Sequence, residues 1–148
     1  MKVRVGFSKG HSLVARIICA VTGADISHTF FLMEDGSDAW AYEASLGLKG
    51  FRRVPWAIYQ RHNVIKDLVS VSWPDDEVKV ALDGMLGTRY SMRRFWLVGV
   101  ALLLKRPAVD PGDTFDCVSS VVKVTGRFGL AMVGRPLTPS ELRLKMGS

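Results

Sequence analysis

The feature that most constrains this chain is the pair Asp35-Gly36, set between two runs of strand-forming residues, Ser27 to Glu34 and Asp38 to Ala44. Asp-Gly flanked by such runs is a strong short-range signal for a β-hairpin, because tight hairpin loops need a residue that tolerates positive φ. With the turn centred between Asp35 and Gly36, cross-strand partners have numbers summing to 71. A four-residue loop, Glu34 to Ser37, keeps the same sum. That register sets His28 directly opposite Glu43 on one face, with Cβ atoms about 4.5–5.5 Å apart. A slip of one residue would send Glu43 to the far face.

His28 alternates in phase with Phe30 and Leu32, so it points toward a packed face of the sheet. A lone histidine there is commonly a satisfied core residue. A carboxylate beside it changes the reading, because it can hold the imidazole in one tautomer and orientation, as the third member of a catalytic triad does. An incidental ion pair is the plainer alternative. Against it, Glu43 interrupts an otherwise apolar strand, Trp40-Ala41-Tyr42-Glu43-Ala44.

Around the hairpin the chain reads as a mixed α+β domain. Val3 to Phe7 is a strand candidate, and Ser12 caps a helix carrying Leu13, Val14, Ile17, Ile18 and Val21 that stops at Gly23. Phe51 to Pro55 and Asn63 to Trp73 are further strand candidates. Pro74, Asp75, Asp76 and Glu77 open a helix that runs to about Leu86, where Gly87 ends it. The apolar run Phe95 to Leu104 reads as a buried helix, and Thr114 to Thr125 as another, closed by Gly126. Thr138-Pro139-Ser140-Glu141 is a capping box for a last helix. Strands crowd the first half and helices the second, which favours α+β over a wound parallel sheet.

Cys117 lies at the third position of the helix begun by Thr114. Unpaired backbone N–H groups and the positive dipole end favour a thiolate there. The apolar stripe of that helix is Phe115, Val118, Val121, Val122 and Thr125, which leaves Cys117 on its flank with Ser120 and Val124. Free cysteines are more often small buried hydrophobes than nucleophiles, and position alone does not decide for chemistry. Cys19, inside Ile17-Ile18-Cys19-Ala20-Val21, is read as structural. His11 and His62 sit in loop-like, solvated contexts. Gly6 to Ser12 lacks the ending of a phosphate loop. Tyr90, after Gly87-Thr88-Arg89, can reach into a cleft as a substrate or oxyanion contact, or simply pack.

Composition narrows the function classes. The 148 residues, 48% hydrophobic and 23% charged, are expected to form a single domain over 1–148. The formal charge of +6 favours anionic neighbours, but the arginines are scattered and no specific nucleic-acid partner is implied. The two cysteines show no metal-ligand spacing, so neither metal nor organic cofactor is expected. Met1 to Gly10 lacks a signal-peptide core, which points to synthesis in the cytoplasm. Ten apolar residues at 95–104 are too few to span a bilayer, though the basic residues flanking them suit a helix lying on a membrane surface.

In their order, these stations resemble the circularly permuted branch of the NlpC-like papain-fold cysteine hydrolases, related to lecithin:retinol acyltransferase-like proteins. They are Phe7-Ser8, Ser27-His28, Tyr42-Glu43-Ala44, Gly87-Thr88-Arg89-Tyr90 before an apolar helix, and Phe115-Asp116-Cys117, covering about residues 3 to 125. Two stations depart: Val118-Ser119 stand where relatives have Ser-Glu, and Tyr90-Ser91 where they often have Tyr-Asp. The resemblance implies an antiparallel sheet packed against helices and a Cys117-His28-Glu43 triad that cleaves an amide or ester bond of a peptide or acyl substrate. Similar small proteins in bacteriophage tail-gene clusters suggest a cell-wall peptidase of a phage tail, acting on peptidoglycan beside other tail proteins. Two alternatives use the same fold. One is a structural or binding subunit of a tail tip, favoured by Val118-Ser119. The other is a lipid acyl hydrolase or acyltransferase at a membrane surface.

Overall fold

The computed structural model describes residues 1–45, 50–89 and 139–146. Five strands form one sheet in the order β4-β3-β2-β1-β5, every pairing antiparallel. They are β1 (Lys2–Gly10), β2 (His28–Asp35), β3 (Asp38–Ser45), β4 (Gly50–Pro55) and β5 (Asn63–Ser70). The helices are α1 (Leu13–Thr22), α2 (Trp56–His62), α3 (Asp75–Met85) and, at the end of the chain, α4 (Pro139–Met146). The class is α+β, as the element order predicts. The helices predicted at 95–104 and 114–125 lie outside the described residues, as do Thr138, Tyr90 and Cys117.

Helix boundaries follow the local chemistry. Ser12 Oγ accepts from Ala15 N, and Gly23 closes α1 in the left-handed region at φ 66°. Along α1, Leu13 and Ile17 are largely exposed, so less of its apolar stripe is covered than the sequence pattern suggests. Pro74 is the cap of α3 rather than its first residue, and Asp75, Asp76 and Glu77 fill the first turn. Asp75 Oδ1 also accepts from Val3 N, tying α3 to the start of β1. β5 ends at Ser70 instead of continuing to Trp73, because Arg4 is the last residue of β1 to pair with it.

Both faces of the sheet are covered. One carries Val3, Val5 and Phe7 of β1, Phe31 and Met33 of β2 and Tyr42 of β3, packed against Val78, Leu82 and Met85 of α3 and Leu142 of α4. The i, i+4, i+7 spacing of the α3 residues makes that stripe. The opposite face carries Phe30, Leu32, Ala41 and Val54 under Tyr59 and Trp56 of α2. Strand alternation therefore sorts neighbouring residues to opposite sides. Arg53 goes over the Trp40 ring at 4.5 Å, while Arg52 goes to the α2 face.

Candidate active site

The β2–β3 hairpin decides where His28 and Glu43 meet. Observed partners run from Asp35↔Asp38 to Phe30↔Glu43, with residue numbers summing to 73. The expected sum of 71 is therefore wrong by two. The loop is Gly36-Ser37 with Gly36 at φ 58°, one residue later than Asp35-Gly36. Moving a two-residue loop by one position shifts the register by two, and a shift of two keeps every side chain on its own face. Glu43 thus stands diagonal to His28 rather than directly opposite. Diagonal neighbours on one face are about 7–8 Å apart, a gap that long side chains bridge.

Glutamate bridges it here. His28 Nε2 lies 2.8 Å from Glu43 Oε2. A carboxylate only accepts, so Nε2 carries the proton, and in the neutral ring Nδ1 then holds the lone pair that can act as a base. Glu43 is 5% exposed. Its other oxygen, Oε1, accepts from Arg52 Nε at 2.9 Å and from Arg52 Nη2. Glu43 and Arg52 are direct cross-strand partners between β3 and β4. Burial pushes the Glu43 carboxyl up, but His28 and Arg52 together outweigh it and hold the group below its ordinary value. Glu43 is accordingly an anion at neutral pH with both oxygens engaged.

Two further polar residues complete this corner of the sheet. Ser8 of β1 is the cross-strand partner of His28 and is fully buried. Its Oγ and the Tyr59 hydroxyl from α2 are 3.0 Å apart. Below them the Phe30, Trp56 and Tyr59 rings form an aromatic cluster, with Phe30 and Tyr59 centroids 4.5 Å apart. At the outer edge of β4, Phe51 N donates to Thr88 O at 2.8 Å and Gly87 N to Phe51 O at 2.9 Å. Gly87-Thr88 thus runs alongside β4 just before Tyr90.

Of the predicted site residues, His28 and Glu43 are brought into contact, while Cys117 and Tyr90 lie outside the described residues. Compared with models of protein families and with curated proteins, the chain matches none. Arg52 and Tyr59 were not singled out by sequence. Tyr59 had a usable signal, the i, i+3 pair Trp56 and Tyr59 directly after Pro55. Arg52 had a partial one, its phase with Val54 in a strand candidate. Cys19 is a free, partly buried cysteine in α1; His11 and His62 are exposed as expected, but His62 ends helix α2 instead of lying in a loop. Among the described residues no group of three or more His, Cys, Asp or Glu is arranged to hold a metal ion, and no helix is long and apolar enough to cross a membrane.

Chemically, the arrangement is a buried, charged carboxylate fixing a half-buried imidazole at the end of a sheet. It can take up and return a proton at Nδ1 and stabilise the imidazolium formed in between.

Proposed function

We propose that this chain is a cysteine-dependent hydrolase with a permuted papain-like, NlpC-like fold, in which Cys117, His28 and Glu43 act in sequence on an amide or ester. The observation that carries the reading is the 2.8 Å contact between His28 Nε2 and Glu43 Oε2 on a covered face of an antiparallel sheet. Support for the nucleophile comes from sequence, where Cys117 follows a helix cap three residues earlier.

In this mechanism His28 takes the thiol proton of Cys117, and the sulfur attacks the carbonyl carbon. Backbone N–H at the start of the cysteine helix stabilises the oxyanion. The imidazolium passes its proton to the leaving amine or alcohol as the C–N or C–O bond breaks, leaving a thioester on Cys117. His28 then takes a proton from water, whose oxygen attacks the thioester, and the carboxylic acid leaves as the thiol is restored. Glu43 orients the ring throughout and offsets its charge. A peptide amide, including those of peptidoglycan, is the proposed substrate class.

The test is hydrolysis of a p-nitrophenyl acyl ester and of isolated peptidoglycan by the chain and its variants. Cys117→Ser is expected to reduce turnover to background, a loss of about three orders of magnitude or more. Glu43→Gln should remain folded yet slow turnover by about tenfold or more, because an amide still orients the ring but cannot stabilise its charged form. Undiminished turnover in Cys117→Ser would remove Cys117 as the nucleophile, and no turnover by the unchanged chain would return it to the reading of a structural or binding subunit.

A further inference from the structure

We infer that Arg52 is a positioning residue for the proposed triad: it holds the Glu43 carboxylate from the side opposite His28 and limits how strongly that carboxylate favours the imidazolium. The inference rests on the proposed catalytic reading of His28 and Glu43, but its test does not depend on turnover.

The geometry divides the carboxylate between two partners. Oε2 goes to the imidazole, and Oε1 accepts both Nε and Nη2 of Arg52. Among the described residues Arg52 supplies every hydrogen bond that Oε1 accepts. A glutamate side chain has three rotatable bonds, and a diagonal contact across the sheet requires all of them to stay in one arrangement. Because Arg52 is the direct cross-strand partner of Glu43, its planar fork meets the carboxylate without a detour. A lysine would bring a point charge but not the fork.

Charge gives the second effect. Arginine stays protonated, so a positive group faces the same carboxylate that stabilises the imidazolium. It draws on the Glu43 charge and opposes the His28 charge through space, so His28 is less basic with Arg52 than without it. Arg52 is 38% exposed at its side chain and Glu43 only 6%, so solvent weakens the arginine's influence but not the carboxylate's. Among the described residues, the polar groups on this side include the Ser8 hydroxyl from β1, the Tyr59 phenol from α2 and the Asn63 amide that donates to Tyr59 O. Lys66 of β5 pairs with Asp25 in the loop before β2. The Arg4–Glu34 pair sits at the other end of β1 and β2, about 20 Å along the strands. None of these shares Glu43, so the expected change is assigned to Arg52.

The experiment is a pH titration of the histidine ring Cε1–H signals by NMR on the full chain. His28 is identified among the three histidines by the signal lost in His28→Gln. Arg52→Gln is expected to raise the His28 midpoint by about half a pH unit or more, and Glu43→Gln to lower it. Arg52→Lys, which keeps the charge, should restore most of the difference. Arg52→Met keeps the apolar stem and serves as a second neutral replacement should Arg52→Gln fail to fold. An unchanged midpoint in both neutral variants, with Glu43→Gln still lowering it, overturns the role given to Arg52, and a lowered midpoint overturns its effect on the imidazolium charge. A midpoint unmoved by Glu43→Gln would instead overturn the His28–Glu43 pairing, and undiminished turnover in Cys117→Ser would overturn only the assignment of Cys117 as nucleophile.

Discussion

His28→Ala is expected to convert the alkylation rate of Cys117 from nearly flat between pH 6 and pH 8 to one that rises steeply, by up to about 75-fold, over that interval. The figure follows from thiolate populations. An unassisted cysteine with a pKa near 8.5 is about 0.3% thiolate at pH 6 and about 24% at pH 8. A thiol that has already given its proton to a carboxylate-backed imidazole is thiolate at both pH values, and its rate changes little. Using a ratio of rates within one variant removes the lower intrinsic nucleophilicity of a low-pKa thiolate from the comparison. Iodoacetamide labelling read by mass spectrometry at the two pH values gives the ratio directly. An identical flat profile in His28→Ala would separate the thiol from the His28–Glu43 pair.

The largest expected effect on stability is at Gly6. It is the cross-strand partner of Phe30, and a Cβ built on it would overlap the Phe30 ring. Phe30 is 1% exposed and lies against Tyr59 and Trp56. Gly6→Val should therefore push Phe30 out of the aromatic cluster and cost about 3 kcal/mol, at the upper end of what overpacking does. That is a large part of the total stability of an ordinary domain. Chemical denaturation measures it, and the double variant Gly6→Val, Phe30→Ala tests the cause. Removing the ring should make the valine nearly harmless relative to Phe30→Ala alone. An unchanged denaturation midpoint in Gly6→Val would contradict the packing described for this face.

Gly6 also shows what the sequence could and could not disclose. Gly6 falls both in the strand candidate Val3 to Phe7 and in a loose phosphate-loop pattern, Gly6 to Ser12, and neither pattern shows why a glycine stands there. In the fold it lies mid-strand, where a ring from the next strand occupies the space of its missing side chain. That use of glycine depends on which residue pairs across the sheet, and local pattern does not carry it. The hairpin was legible in a stricter sense. Alternation with a period of two fixes which residues share a face, so His28, Phe30 and Leu32 could be grouped correctly with Glu43. The loop position was not fixed, because Gly36 can supply positive φ in either of two adjacent loops and Ser37 is itself a good turn residue. The contact survived because the error was an even number of residues.

Arg52 was hidden for another reason. Its meeting with Glu43 depends on the β3–β4 register, Glu43↔Arg52, which strand alternation alone does not fix. α2 escaped because seven residues containing Trp56, Ile58 and Tyr59, between two strands, have no strong helix signature. Helix ends, by contrast, were legible wherever a cap chemistry was present, as at Ser12 and Gly23.

The central claim is that the His28–Glu43 pair serves a thiol at Cys117. Brief treatment of the native chain with iodoacetamide at pH 6, followed by peptide mapping, tests it most directly, since the chain's two cysteines compete under one condition. The claim predicts label on Cys117 and almost none on Cys19, which has no helix-start position to favour its thiolate. Equal label on both cysteines, or preference for Cys19, would contradict it.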